Sequence, residues 1–149
     1  MLYKWNPKKL TGSFKGTVNG RDFAVRFIGY MDNSMMTAEF DEDAATKHIG
    51  ADGQASVVLN ANRGAKVVVT FSQGSPVNDE LSDLVPDARL DYLPVGVLNF
   101  DDLNGTTAVK SLEAWIMKTA KVEFTKDVTG REWTFDTGEA EIHVGGAEL

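Results

Sequence analysis

The chain has 149 residues, 42% hydrophobic and 25% charged, with a formal net charge of -7 and no cysteine. That length suits one domain spanning residues 1–149 with a single core, and the lack of thiols excludes disulfide staples, thiolate metal centres and cysteine nucleophiles. With 22 acidic against 15 basic residues, a surface that grips phosphates is not expected, because that affinity comes from clustered cations.

No apolar run approaches the roughly 18–20 residues of a membrane helix. Residues 1–7 (Met-Leu-Tyr-Lys-Trp-Asn-Pro) also lack the charged-then-apolar layout of a secretion signal. The expectation is a cytoplasmic, soluble product with no membrane partner.

Along the chain, Asn19-Gly20, Asp52-Gly53, Arg63-Gly64, Asn104-Gly105 and Thr129-Gly130 separate runs rich in Val, Phe, Thr and Ile. Asn-Gly and Asp-Gly favour the positive φ angles of tight hairpins, so the punctuation is that of an all-β chain. Strands are expected at 13–18, 23–28, 35–40, 55–59, 66–72, 95–100, 112–117, 120–125, 131–137 and 139–144. They suit one antiparallel β-sandwich or barrel. In Lys121-Val122-Glu123-Phe124-Thr125 and in Arg131-Glu132-Trp133-Thr134-Phe135-Asp136 every second residue is apolar, which predicts one core face and one wet face. Val57-Val58-Leu59 and Val67-Val68-Val69 are continuous instead, the pattern of strands covered on both faces, by the core and by something else such as a neighbouring subunit.

One short α-helix interrupts this pattern at 76–85. Ser75 suits the N-cap, Pro76 the first turn, and Asp79 and Glu80 the positive end of the helix dipole. Val77, Leu81, Leu84 and Val85 form its apolar stripe, before Pro86 ends it. Such a helix would plug an open end of the sheets. A loop is expected at 86–94.

Catalytic chemistry leaves little trace. His48 and His143 stand apart with no metal-ligand spacing, and no serine sits in a Gly-x-Ser-x-Gly elbow. Glu39-Phe40-Asp41-Glu42-Asp43 places four acids in five positions, but Ala44-Ala45 follow where a calcium loop needs its glycine turn. A solvated charged loop is the expected reading. Gly50-Ala51-Asp52-Gly53 lacks the lysine and the following helix of a phosphate loop. Trp115 and Trp133 sit at core-facing strand positions and are assigned to packing. No enzyme, metal or cofactor is implied.

Gly50-Ala51-Asp52-Gly53-Gln54, then Ser75-Pro76-x-Asn78-Asp79-x-Leu81-Ser82-Asp83-Leu84, then Glu113-Ala114-Trp115-Ile116-x-Lys118, Val122-Glu123-Phe124-x-Lys126 and Arg131-Glu132-Trp133 occur in order between residues 13 and 146. This ordered set resembles the tail tube (inner tube) protein of contractile-tail bacteriophages, a family with relatives in bacteriocin particles and secretion machines. Residues 1–10 and 27–32 carry no motif that aligns with it.

The resemblance implies a non-catalytic virion protein whose hexameric rings stack into a tube inside a contractile sheath, a conduit for DNA that binds it nowhere specifically. It further implies the sheath, baseplate and tail terminator proteins as partners, a tape measure protein in the lumen during assembly, and a place in the virion tail after assembly in the host cytoplasm. Free strand edges, hazardous in a monomer, would then be paired by neighbouring copies. Three sets of residues follow as candidates. Asp41, Glu42, Asp43, His48, Asp52 and Gly53, within the 41–53 segment, would stack one ring on the next. Glu39, Glu123, Glu132 and Asp136, with Asp41 a further possibility, would line a lumen that repels phosphates. Asp79, Glu80 and Asp83 would face the sheath from the helix. The rival reading is a monomeric β-barrel binding a small ligand or carbohydrate, with Trp5, Met31, Met35 and Met36 in its pocket.

Overall fold

The computed structural model describes residues 2–32, 34–87, 89 and 93–147, so the loop expected at 86–94 lies partly outside the described residues. Asn19 and Gly20 take φ values of 52° and 75°, the left-handed pair that suits a two-residue hairpin, and return β1 (Leu10–Val18) onto β2 (Arg21–Arg26). After β2 come β3 (Met36–Phe40), β4 (Ala45–Ile49), β5 (Ala55–Leu59), β6 (Ala65–Ser72), helix α1 (Val77–Ser82), β7 (Gly96–Asp102), β8 (Ala108–Lys118), β9 (Gly130–Thr137) and β10 (Ala140–His143). The all-β expectation is borne out, with this one α-helix among the described residues.

The main sheet has the antiparallel order β2-β1-β7-β8-β9-β6-β3, and β10 continues beyond β9 to pair with the first residues of β8. Past β2 the chain crosses to β6. There the Ser72 amide donates to the Gly29 carbonyl at 2.7 Å and the Met31 amide to the Thr70 carbonyl at 3.0 Å. The sheet is therefore rolled until its two ends touch, an open barrel. β4 and β5 stand outside it as a separate hairpin.

Alternation fills the roll. β6 buries Ala65, Val67, Val69 and Phe71, and β9 buries Trp133 and Phe135 on the same side. Phe14 of β1 meets Phe135 at 5.2 Å between ring centroids, and Phe27, just past β2, meets Phe100 at 5.3 Å and Phe71 at 5.4 Å. Each such side chain contributes about 1.5–3 kcal/mol by burial, with tilted and edge-on ring pairs adding to it. Gly12 makes room for this cluster, since a Cβ there would come within 2.5 Å of the Phe100 ring.

Two bulges in β8 explain where the strand pattern departs from expectation. Between the pairs Gly96↔Ala114 and Leu98↔Ser111, β8 carries one residue more than β7, which switches its inward positions from Val109 and Ser111 to Ala114 and Ile116. Ser111 pins this bulge, accepting from the Glu113 amide at 3.2 Å and donating to the Glu139 carbonyl at 2.6 Å. Trp115, expected in the core, is thereby turned to the outer face and is only half-buried, while Trp133 is in the core as expected. A second bulge, between Ile116↔Phe135 and Lys118↔Thr134, ends the ladder. The strand expected at 120–125 does not form; Val122 and Phe124 point to solvent in an irregular connection rather than into the core.

The helix is shorter than the expected 76–85, because Asp83 already has its C-cap position and no further turn follows. Its apolar stripe holds, with Val77, Leu81 and Leu84 buried. Pro76 rather than Ser75 takes the N-cap position, and the Ser75 hydroxyl sits one residue earlier, accepting from the Val77 amide at 3.3 Å while donating to the Ile28 carbonyl at 2.7 Å. Asn78 then ties α1 to the core by accepting from the Trp133 indole N–H at 3.0 Å.

The bulge makes a sharp contrast. Ile116→Ser is expected to lower the unfolding free energy by about 3–5 kcal/mol, whereas Leu112→Ser, two positions before the inward Ala114, is expected to change it by under about 0.5 kcal/mol. Urea denaturation measures both, and similar losses in the two variants would contradict the phase switch.

Candidate assembly surfaces

The β4–β5 hairpin gathers the residues expected to stack rings. Its register is Ala45↔Leu59, Lys47↔Val57 and Ile49↔Ala55 on one side, and Thr46↔Val58 and His48↔Ser56 on the other. At the tip, Gly53 has φ +85°, and the Gly50 amide donates to the Gln54 carbonyl at 2.9 Å; the Gln54 amide donates to Asp52 Oδ1 at 3.1 Å. Asp41, Glu42 and Asp43 lie at the base, where Glu42 accepts from Asn60 Nδ2 at 2.6 Å. The segment expected as a glycine-tipped loop or hairpin is thus a hairpin, and its first strand, β4, was not foreseen.

Val57-Val58-Leu59 reverses an expectation. The run is not sandwiched between core and cover: Val57 is 66% exposed and Leu59 80%. The reason is that β6 already has β9 and β3 on its two edges, so β4 and β5 have only each other. One face of the hairpin carries Ile49, Val57 and Leu59 in water, an arrangement that marks a contact surface. At the root of the hairpin the Asn60 amide donates to the Ala44 carbonyl and the Asp41 amide to the Gly64 carbonyl, both at 3.0 Å.

The expected lumen acids divide. Glu39, Lys66 and Asp136 lie side by side across β3, β6 and β9 on the outer face of the roll, and Glu132 lies further along β9 on that same face. Glu123 belongs to the irregular connection, yet it shares with Glu132, Lys118 and Lys121 the lining of a shallow depression of about 320 Å³. The face is therefore mixed in charge, with lysines between the acids.

Asp79, Glu80 and Asp83 are exposed on the solvent side of α1. The rival pocket is not assembled. Met31, Met35 and Met36 flank β6, whereas Trp5 lies on an exposed stretch beside the β7–β8 turn. Among the described residues, two buried polar atoms lack a hydrogen-bond partner, Tyr30 Oη and Arg63 Nη1. Burial pushes the Tyr30 phenol above its ordinary range, and the Arg63 guanidinium lies 3.9 Å over the Phe40 ring.

Sequence reasoning missed the exposed apolar residues outside the roll. These include Leu2, Tyr3 and Trp5 before β1, Ile49 on β4, and Val122, Phe124 and Val128 between β8 and β9. The available signal was the surplus of apolar residues over the inward positions of the strands. Phe124 is 77% exposed and is approached by the Arg131 guanidinium at 5.1 Å.

No protein-family model matches the chain. It is 28% identical over 120 residues to structural protein ORF10 of Pseudomonas phage KPP10, covering 79% of this chain and 69% of that one. Its fold matches a chain in the cryo-EM structure of an extracellular contractile injection system, the PVC sheath/tube terminator in its extended state. That match has TM-score 0.60 and 10% identity, over 96% of this chain and 99% of that one. It also matches a chain of the anti-feeding prophage baseplate, with TM-score 0.61 and 10% identity over 96% and 97%. The resemblance to contractile-tail tube proteins is borne out as a shared fold and a phage structural relative.

The hairpin can be tested on the isolated subunit. Val57→Ser combined with Leu59→Ser is expected to leave the unfolding free energy within about 0.5 kcal/mol of the parent, because neither side chain packs on the roll. Thermal and urea melts check this, and a loss of several kcal/mol would mean that the hairpin covers its own core.

Proposed function

We propose that this chain is a structural subunit of a contractile tail, the tube protein itself, with hexameric rings that stack into a pipe inside the sheath. The observation that carries this reading is a hairpin with an apolar face that none of the described residues covers, projecting from a rolled sheet with its own buried core. A monomer gains nothing from exposing Ile49, Val57 and Leu59, whereas a copy that buries them removes roughly 25 cal/mol per Å² of cost. The phage structural relative and the shared fold with contractile injection assemblies support the same conclusion. The anti-feeding prophage structure is described as 6-fold symmetrised, which supports six copies per ring.

Each candidate surface then has a role. The hairpin, with Asp41, Glu42, Asp43, His48, Asp52 and Gly53 at its base, strand and tip, reaches the adjacent ring. The free edges of β2 and β3 meet neighbours within a ring, where backbone groups complete each other's hydrogen bonds. Glu39, Glu132 and Asp136, with Glu123 nearby, face the lumen. These acids interrupt the lysines of the same face, so no continuous cationic track forms and DNA slides through without being held. The same lumen holds the tape measure protein during assembly. Asp79, Glu80 and Asp83 meet the sheath, and the ends of the tube meet baseplate and terminator. The chain performs no catalysis and its place is the virion tail, built in the host cytoplasm.

Negative-stain microscopy of concentrated protein is expected to show hollow rods. Replacing residues 45–59 by a short Gly-Ser linker should leave folded rings or monomers but no rods, and rods of ordinary length from that variant would refute the stacking role. Asp79→Lys with Asp83→Lys should leave rod formation intact and reduce sheath co-assembly in a pull-down; unchanged sheath binding would remove α1 from that contact.

A further inference from the structure

The stretch before β1 is built as a docking arm. Residues 2–5 read Leu-Tyr-Lys-Trp, and Leu2 is 79% exposed, with Tyr3 and Trp5 each about half exposed. Its root is nevertheless fixed. The Asn6 amide donates to Asn104 Oδ1 and Asn104 Nδ2 donates back to the Asn6 carbonyl, both at 3.0 Å, while the Leu103 amide donates to the Lys9 carbonyl at 3.0 Å. A stretch that only needed to be soluble would not hold three large apolar side chains in water on a pinned stem.

Antiparallel alternation places the start of β1, the end of β3 and the start of β6 at the same end of the roll. The arm and the β4–β5 hairpin therefore leave the molecule at one end. Their roots, at the β7–β8 turn and at β6, are separated by β8 and β9 across the sheet and also along it, because Ala108 of β8 is level with the β7–β8 turn whereas the start of β6 is level, through Asp136, with Trp115. Each copy thus exposes two apolar surfaces at a shared end. Their charges are opposite: residues 1–10 hold Lys4, Lys8 and Lys9 and no acid, while Asp41, Glu42 and Asp43 give the hairpin base three consecutive acids.

We propose that, within a ring, residues 2–5 of one copy lie across the Ile49, Val57 and Leu59 face of the neighbouring copy's hairpin, with the arm lysines against the acids at its base. The occupant is a second copy of this chain. Rotation about a ring axis keeps like ends together, so the arm of each subunit meets the hairpin of the next without any element changing level. The inference rests on the ring reading above and adds a contact to it: the hairpin is gripped by a lateral neighbour while its tip is left free to reach the next ring.

The absence of cysteine gives a direct test, because introduced thiols are the only ones present. Trp5→Cys and Val57→Cys proteins are prepared separately, mixed under assembly conditions and oxidised with diamide; only a disulfide between copies can form. A covalent dimer joining the two variants is expected from the mixture, in excess of the like-with-like dimers each variant gives when oxidised alone, and a ladder of higher oligomers from the double variant. Lys4→Glu, Lys8→Glu and Lys9→Glu together should reduce the assembled fraction by about tenfold, and Asp41→Lys, Glu42→Lys and Asp43→Lys in the same chain should restore most of it. Rods in the microscope with no covalent dimer would overturn the arm contact and leave the tube reading standing. A double variant that closes only on itself would overturn it in favour of an arm folded back on its own hairpin. Monomers throughout would overturn both readings.

Discussion

Phe14, Phe27, Phe71, Phe100 and Phe135 come from five different places in the chain and meet inside the roll at ring-centroid separations of 5.2 to 6.0 Å. This contact draws β1 and β7 against β6 and β9 and holds the sheet closed on itself. Everything else is positioned from it: β3 leaves at the edge of β6, the hairpin springs from β3, and α1 seals its share with Val77 and Leu81. Once the roll is closed, its interior is full, and apolar residues elsewhere in the chain have no place in it. A filled core thus forces the surplus outward.

That surplus is what makes the chain a component rather than a finished object. Many of its exposed apolar side chains lie on the arm, on the β4–β5 hairpin and on the connection between β8 and β9, with others, such as Leu112 and Val144, scattered over the roll. Free strand edges are normally blunted by charge or by cover. Here exposed apolar faces, edge strands and opposite charges occur at one end of the roll, the combination on which the proposed self-assembly rests.

Much of this was legible in the chain. Turn chemistry marked Asn19-Gly20 and Asp52-Gly53 correctly. Val67-Val68-Val69 reads as a run covered on both faces, whereas β6 in fact fully buries only one, with Lys66 exposed on the other. Period-two alternation located β9. It failed at β8, where two extra residues change which side chains face inward; nothing local in Leu112-Glu113-Ala114-Trp115 announces a bulge that is set by pairing with β7 and β9. Lys121 to Thr125 alternates as well as any strand, but alternation only states which residues could share a face, and beyond Lys118 no ladder remains to join. The same limit hid the exposure of Val57-Val58-Leu59, since a run covered by a neighbour and a run covered by a core read alike. Of the candidate site, the hairpin acids and the helix acids were readable as clusters, whereas the lysines interleaved with Glu39, Glu132 and Asp136 became visible only through strand register.

The central claim is that copies of this chain complete the rims and apolar faces the roll leaves open. Amide hydrogen exchange as a function of protein concentration measures this at the residues concerned. The account predicts that protection in β3 and in the β4–β5 hairpin rises steeply with concentration while β6 and β9 stay uniformly protected. Identical exchange in the hairpin from dilute to concentrated protein would contradict it.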